Sequence, residues 1–168
     1  MTTSDELSEF APMASLNAAE LTVLAGAGRD VSYPAGRRLI AEGDAADRCW
    51  LIREGRILLD AHVPGQGDLV VQTLGRGDLL GWSWLVPPYR WRFGAQVAEP
   101  VRAIEFDATT LAGLAEADPR FGRTLTLMLF EALLERLQAT RARLLDLYRN
   151  PGETCRCVPY PGDGRGGR

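Results

Sequence analysis

Between Gly75 and Ala98 the chain places Trp82, Trp84 and Trp91, three of its four tryptophans, beside Tyr89, Arg90 and Arg92. The flat faces of these rings can stack on a base or another heteroaromatic ligand. Trp and Arg together are also the residues that anchor protein contacts, so the composition leaves both uses open. Gly75, Gly77 and Gly81 suit positive φ or the close approach of another group, and Pro87-Pro88 bars a regular helix or strand. The run reads as a ligand loop held between strands.

Other chemistries find little support. A metal-dependent enzyme on a small β-roll needs several histidines and a carboxylate, and His62 is the single histidine. Cys49, Cys155 and Cys157 are too few for a disulfide framework or a four-thiolate cluster. Cys155-Arg156-Cys157 supplies only half of a tetrahedral site. No GxxxxGK[ST] phosphate loop occurs. The chain reads as a non-enzyme, with no metal.

The elements that must hold the loop are short. Asn17 stands three residues before Glu20, the spacing of a capping box, and predicts a helix ending near Gly26 or Gly28. Apolar and polar residues then alternate at Val31 and Tyr33, at Trp50 and Ile52, at Ile57, Leu59 and Ala61, and at Leu69 and Val71. Glycine or proline interrupts these runs every few residues, including at Gly43, Gly55, Gly65 and Gly77. The pattern predicts short antiparallel strands closed into a mainly β roll or jelly roll with flanking helices. After the loop come strands at Phe93–Ala98 and Val101–Phe106, broken at Glu99-Pro100, and a small helix at Ala108–Ala117.

Asp118-Pro119 is a helix start signal. No further proline follows until Pro151, and Phe130, Leu133, Leu137, Thr140, Leu144 and Leu147 recur in the 3-4 spacing of a coiled-coil seam. A helix over 118–149 extends about 45 Å, more than the ~30 Å of a small domain. Part of it needs another surface, either the chain's own roll or a second copy, and the seam predicts a homodimer through Phe130, Leu133, Leu137, Leu144 and Leu147. The predicted organisation is an N-terminal segment over 1–14, a roll with its leading helix over 15–117, the long helix, and a disordered Gly/Pro/Arg-rich tail over 150–168.

A formal net charge of −3 gives no basic field for nucleic acid, so DNA binding by this chain alone is not expected. The polar, acidic start and the absence of any long apolar run predict a cytoplasmic protein with no membrane partner.

From about Phe10 to Tyr148 these residues together resemble the cyclic-nucleotide-binding domain of the CRP/FNR regulator family. The resemblance rests on the helix from Leu16 to Ala25, on YPAGRRLIAEGDAADRCWLIREGRI, on LGRGDLLG and on the long C-terminal helix. It implies a β-roll whose phosphate-binding cassette holds a cyclic nucleotide, cyclic AMP or cyclic GMP, and a C-terminal helix that dimerises and closes over the base. It implies further that Thr140, in Arg136-Leu137-Gln138-Ala139-Thr140, is placed to reach an adenine, although a hydroxyl there can instead bond to its own helix.

The resemblance places the candidate binding residues of the cassette at Gly81, Trp82, Ser83, Trp84, Arg90 and Arg92, and there the chain departs from the family pattern. Trp82 stands where the family has a glutamate that accepts from the ribose hydroxyl, and an indole N–H can only donate. Arg90 or Arg92 is the counterpart of the phosphate-pairing arginine, but counting back from Val101 puts Trp91 at that position. A shift of one residue in a strand reverses the face a side chain occupies. The helix-turn-helix domain that follows in the family's transcription factors has no counterpart in residues 150–168. The resemblance therefore implies a sensor domain that binds a small ligand and signals to a protein partner through its C-terminal helix. The alternative is an interaction module with a vestigial pocket, distinguished by a pocket filled with the chain's own tryptophans.

Overall fold

A computed structural model describes residues 2–149, except for the side chains of Leu147 and Arg149. The expectations for the tail, Cys155, Cys157 and the Leu147 contact lie outside what is described. The described chain divides into two compact units, one up to Leu133 and one from Leu134.

Helix α1 (Ser4–Ser8) and a 3-10 turn at Ala11–Met13 precede α2 (Ala18–Ala27). Asn17 caps α2 as its sequence predicts: its side chain accepts from Ala19 N and Glu20 N, and Glu20 Oε2 accepts from Asn17 N at 2.9 Å. Leu7, Phe10 and Met13 are buried in the same core as the roll. Arg53 of the roll anchors this N-terminal segment through an ion pair to Glu6 at 2.7 Å and also pairs with Asp30, on the strand that follows α2, at 2.9 Å.

Six strands follow: β1 (Gly28–Tyr33), β2 (Arg38–Ile40), β3 (Arg48–Val63), β4 (Gly67–Leu74), β5 (Leu79–Leu80) and β6 (Gly94–Asp107). All pairings are antiparallel in the order β1-β6-β3-β4, with β2 also on β6 and β5 on β3. This is a jelly-roll-like sheet with flanking helices. Its two long strands, β3 and β6, pair along most of their length.

The sequence predicts interruptions at Gly55 and at Glu99-Pro100, whereas β3 and β6 run through both. Gly55 has a φ of 89°, and the register shifts between Ile52 and Ile57. A bulge of this kind bends the ladder without ending it and takes in Pro100, which has no N–H to give. Glycine and proline therefore mark a bend in two continuous strands, where isolated periodicity suggests turns.

Helix α3 (Ala108–Ala117) is capped by Asp107, and α4 (Pro119–Arg149) starts on Asp118, whose Oδ1 accepts from Arg120 N at 2.9 Å. The first turns of α4 bury Phe121, Leu125, Met128 and Leu129, spaced as one helical face, in the core of the first unit. Along the predicted seam Phe130, Leu137 and Leu144 are exposed and Leu133 is half-buried. Among the described residues no helix is long and apolar enough to cross a membrane.

Candidate functional site

The site is built from the end of β5. Leu79 and Leu80 are buried and pair with Leu51 and Trp50 of β3. Gly81 then turns the chain at a φ of 90°, followed by Trp82 and a 3-10 turn at Ser83–Leu85. Val86, Pro87, Pro88 and Tyr89 form an exposed tip. Tyr89 has a φ of 57°, and its N–H bonds back to Val86 O at 3.0 Å.

The return limb is fixed to the loop after β2. Ala46 N donates to Tyr89 O at 2.8 Å, Trp91 N to Asp44 O at 2.9 Å and Gly43 N to Trp91 O at 2.8 Å. These bonds set which side chains turn inward. Trp91 is 5 % exposed, its ring 6.2 Å from that of Trp50 and 6.1 Å from that of Phe93. Trp82 is half-buried and stacks at a tilt on Phe93, with centroids 5.3 Å apart. The aromatic residues form one continuous array, Trp50–Trp91–Phe93–Trp82.

The array is held at its far end by a carboxylate. Glu105 accepts from Tyr33 Oη at 2.6 Å, from Trp50 Nε1 at 2.9 Å and from Arg29, with Arg48 at 3.6 Å. Burial alone would raise the Glu105 pKa, but the hydrogen bonds from Tyr33, Arg29 and Trp50 and the charge of Arg48 outweigh it and hold it below 4.5.

The predicted binding residues divide into two sets. Gly81, Ser83 and Trp84 are buried, and Ser83 Oγ has no hydrogen-bond partner among the described residues. The Trp84 N–H faces the Cys49 thiol, a weak acceptor, without reaching hydrogen-bond geometry, and burial pushes that thiol up to about 12, which leaves it unreactive. Arg90 and Arg92 are exposed. Arg90 Nη1 donates to Gly43 O at 2.8 Å, and Arg92 has no ion pair among the described residues. Thr140, in the second unit, is exposed and donates to Arg136 O at 2.9 Å, the bond to its own helix.

Trp91 also lines a polar cavity of about 340 Å³ with Tyr33, Arg37, Asp44, Arg48 and Trp50, to which none of the predicted binding residues contributes. Sequence reasoning missed Trp50 and Glu105 as parts of this assembly, because they reach the loop only through the pairing of β3 with β5 and β6, and it passed over Phe93 within the run itself. The one local signal is the adjacency of Phe93 to Trp91. Among the described residues no group of His, Cys, Asp and Glu is placed to hold a metal ion.

The profile of the cyclic nucleotide-binding domain family matches residues 30–118. A CRP-like cAMP-activated global transcriptional regulator of Mycobacterium tuberculosis is 26% identical over 117 residues, 70% of this chain and 50% of that protein. The chain thus spans about half the length of the curated relatives it matches. Among solved structures, a Geobacter metallireducens protein named for cyclic nucleotide binding matches with a TM-score of 0.73 and 26% identity, over 82% of this chain and 99% of its own. A cyclic nucleotide-binding domain from Methylobacillus flagellatus shares the fold with a TM-score of 0.76 at 18% identity, over 86% of this chain and 85% of its own.

Proposed function

The chain belongs to the cyclic nucleotide-binding domain family, and from that premise we propose that it is a regulatory domain whose cassette is rebuilt around its own aromatic side chains and whose output is protein contact. Its relationship is to the non-catalytic sensor domains of CRP/FNR-type regulators. The observation that carries the proposal is the burial of Trp91. At the position that the resemblance gives to a phosphate-pairing arginine, the chain has an indole packed between Trp50, Phe93 and Gly81. The arginines on either side of it are exposed, and Arg90 donates one nitrogen to the Gly43 carbonyl.

A cyclic phosphate is held best by guanidinium donors in a desolvated site. Neither arginine meets that condition, and Trp82 has no acceptor for a ribose hydroxyl. The signal then runs through surfaces. Phe130 on the first unit, and Leu137 and Leu144 on the second, are exposed apolar residues of α4 through which the chain pairs with a second copy, and the partner reads the resulting dimer. Sedimentation equilibrium with and without millimolar cyclic AMP tests this: the reading predicts one dimeric mass in both conditions, and a shift of mass on adding nucleotide contradicts it.

A second reading is favoured by one observation, the unpartnered hydroxyl of Ser83, buried inside the cassette turn. A buried donor without a partner costs about 1–3 kcal/mol. A small uncharged ligand with a carbonyl or hydroxyl would satisfy it and keep the domain a ligand sensor.

A further inference from the structure

The 20 residues from Leu79 to Ala98 contain Arg90 and Arg92 and no Asp or Glu, in a chain whose net charge is −3. The loop's exposed side chains are of two kinds. Val86 and Tyr89 are more than half exposed at the tip beside Pro87 and Pro88, and the two guanidinium groups lie on the limb that follows. Trp84 and Trp91 of the same loop lie in the core. We infer that Val86–Arg92 is a docking knob for an acidic segment of a partner protein, one that sets carboxylates on Arg90 and Arg92 and an apolar side chain against Val86 and Tyr89. The inference rests on the protein-contact reading above and names the chemistry of the contact.

Three features support it. The knob is preformed, because Tyr89 and Trp91 are tied by backbone hydrogen bonds to Asp44 and Ala46, so little ordering entropy is lost on binding. Arg92 has no ion pair among the described residues, and Arg90 uses one nitrogen on a backbone carbonyl, so neither charge is neutralised by the chain itself. The combination of Tyr and Arg around an apolar tip is the composition of an interface anchor. Charge complementarity decides the occupant: two exposed guanidinium groups outside any ion pair among the described residues attract a carboxylate-bearing partner, whereas a second copy would bring like charges together.

The test uses the full chain and two fluorescein-labelled peptides of equal length, one of Glu with spaced Leu and one with Gln replacing every Glu. Fluorescence anisotropy at about 50 mM salt is expected to show the Glu peptide binding at least ten-fold more tightly than the Gln peptide. Arg92→Ala with Arg90→Ala should weaken it about ten-fold or more. Tyr89→Asn should weaken it several-fold, since asparagine tolerates the positive φ and removes only the ring. Arg120→Ala, on α4, should leave it unchanged. Equal binding of both peptides, or equal binding by the arginine variants, overturns the proposal. So does equally tight binding of a single-stranded oligonucleotide, which would make the attraction one of charge alone, or a change of mass in Tyr89→Asn, which would make the tip a contact between copies. Displacement of the Glu peptide by cyclic AMP would instead contradict the underlying reading, whereas loss of peptide binding with an intact dimer and no nucleotide binding removes the knob alone.

Discussion

The Trp91 ring lies against the Cα of Gly81: a Cβ at position 81 would stand 2.9 Å from Trp91 Cη2 and 3.0 Å from the Arg48 carbonyl oxygen. The first residue of the cassette and the indole of its return limb are thus closed on one another, and the φ of 90° at Gly81 independently requires glycine.

Gly81→Ala should therefore destabilise the roll by about 2–4 kcal/mol, combining left-handed strain with a clash that the core absorbs poorly. Urea unfolding followed by tryptophan fluorescence measures it. A loss below about 0.5 kcal/mol would show that the ring is free to move away.

Arg38 reaches Asp60 through one nitrogen, at 2.8 and 2.7 Å from its two oxygens, and Asp60 is buried. The pair lies over Gly94, the first residue of β6, where a side chain would collide with both partners. Removing the half-exposed arginine strands a buried carboxylate, so Arg38→Ala should cost about 2–4 kcal/mol. The double variant Arg38→Ala with Asp60→Ala should cost less than the sum of the single changes, and a double-mutant cycle by chemical denaturation checks the coupling.

Glu105 gives the fold an acid dependence of defined sign. Its folded pKa lies below its unfolded value of about 4.5. The stability it contributes is fully present above that value and is lost as the pH falls through the folded pKa, where the unfolded chain binds the proton first. Glu105→Gln should flatten the decline in unfolding free energy as the pH falls below about 4.5. A variant with the wild-type slope would assign the acid sensitivity to other carboxylates, such as Asp30 or Asp107, which are also held low.

Leu137, 65 % exposed on the second unit, lies on the predicted seam. Leu137→Arg should convert a dimer to a monomer in sedimentation velocity with helicity retained, because the change leaves a good helix former in place. An unchanged mass removes the seam.

Local rules made the frame legible. Asn17 with Glu20 and Asp118 with Pro119 announce helix starts because the caps are satisfied by neighbours in sequence. The roll follows from alternation and turn residues, and the family from motifs that span it. The passage of β3 through Gly55 was not legible, since only the facing Pro100 strand reveals a bulge. Nor was the facing of Arg90, Trp91 and Arg92 fixed by sequence. It is decided by hydrogen bonds to Gly43, Asp44 and Ala46, more than forty positions away in the chain. A strand's alternation carries no information on register until its partner is known.

The most direct measurement is isothermal titration calorimetry of the protein with cyclic AMP and cyclic GMP, with intrinsic tryptophan fluorescence recorded in parallel. With Trp91 built into the core and both arginines outside it, no heat and no spectral change are predicted up to about 1 mM nucleotide, a limit of roughly −4 kcal/mol. Micromolar binding accompanied by a fluorescence change would place the nucleotide beside the Trp82–Trp91 loop and contradict the account.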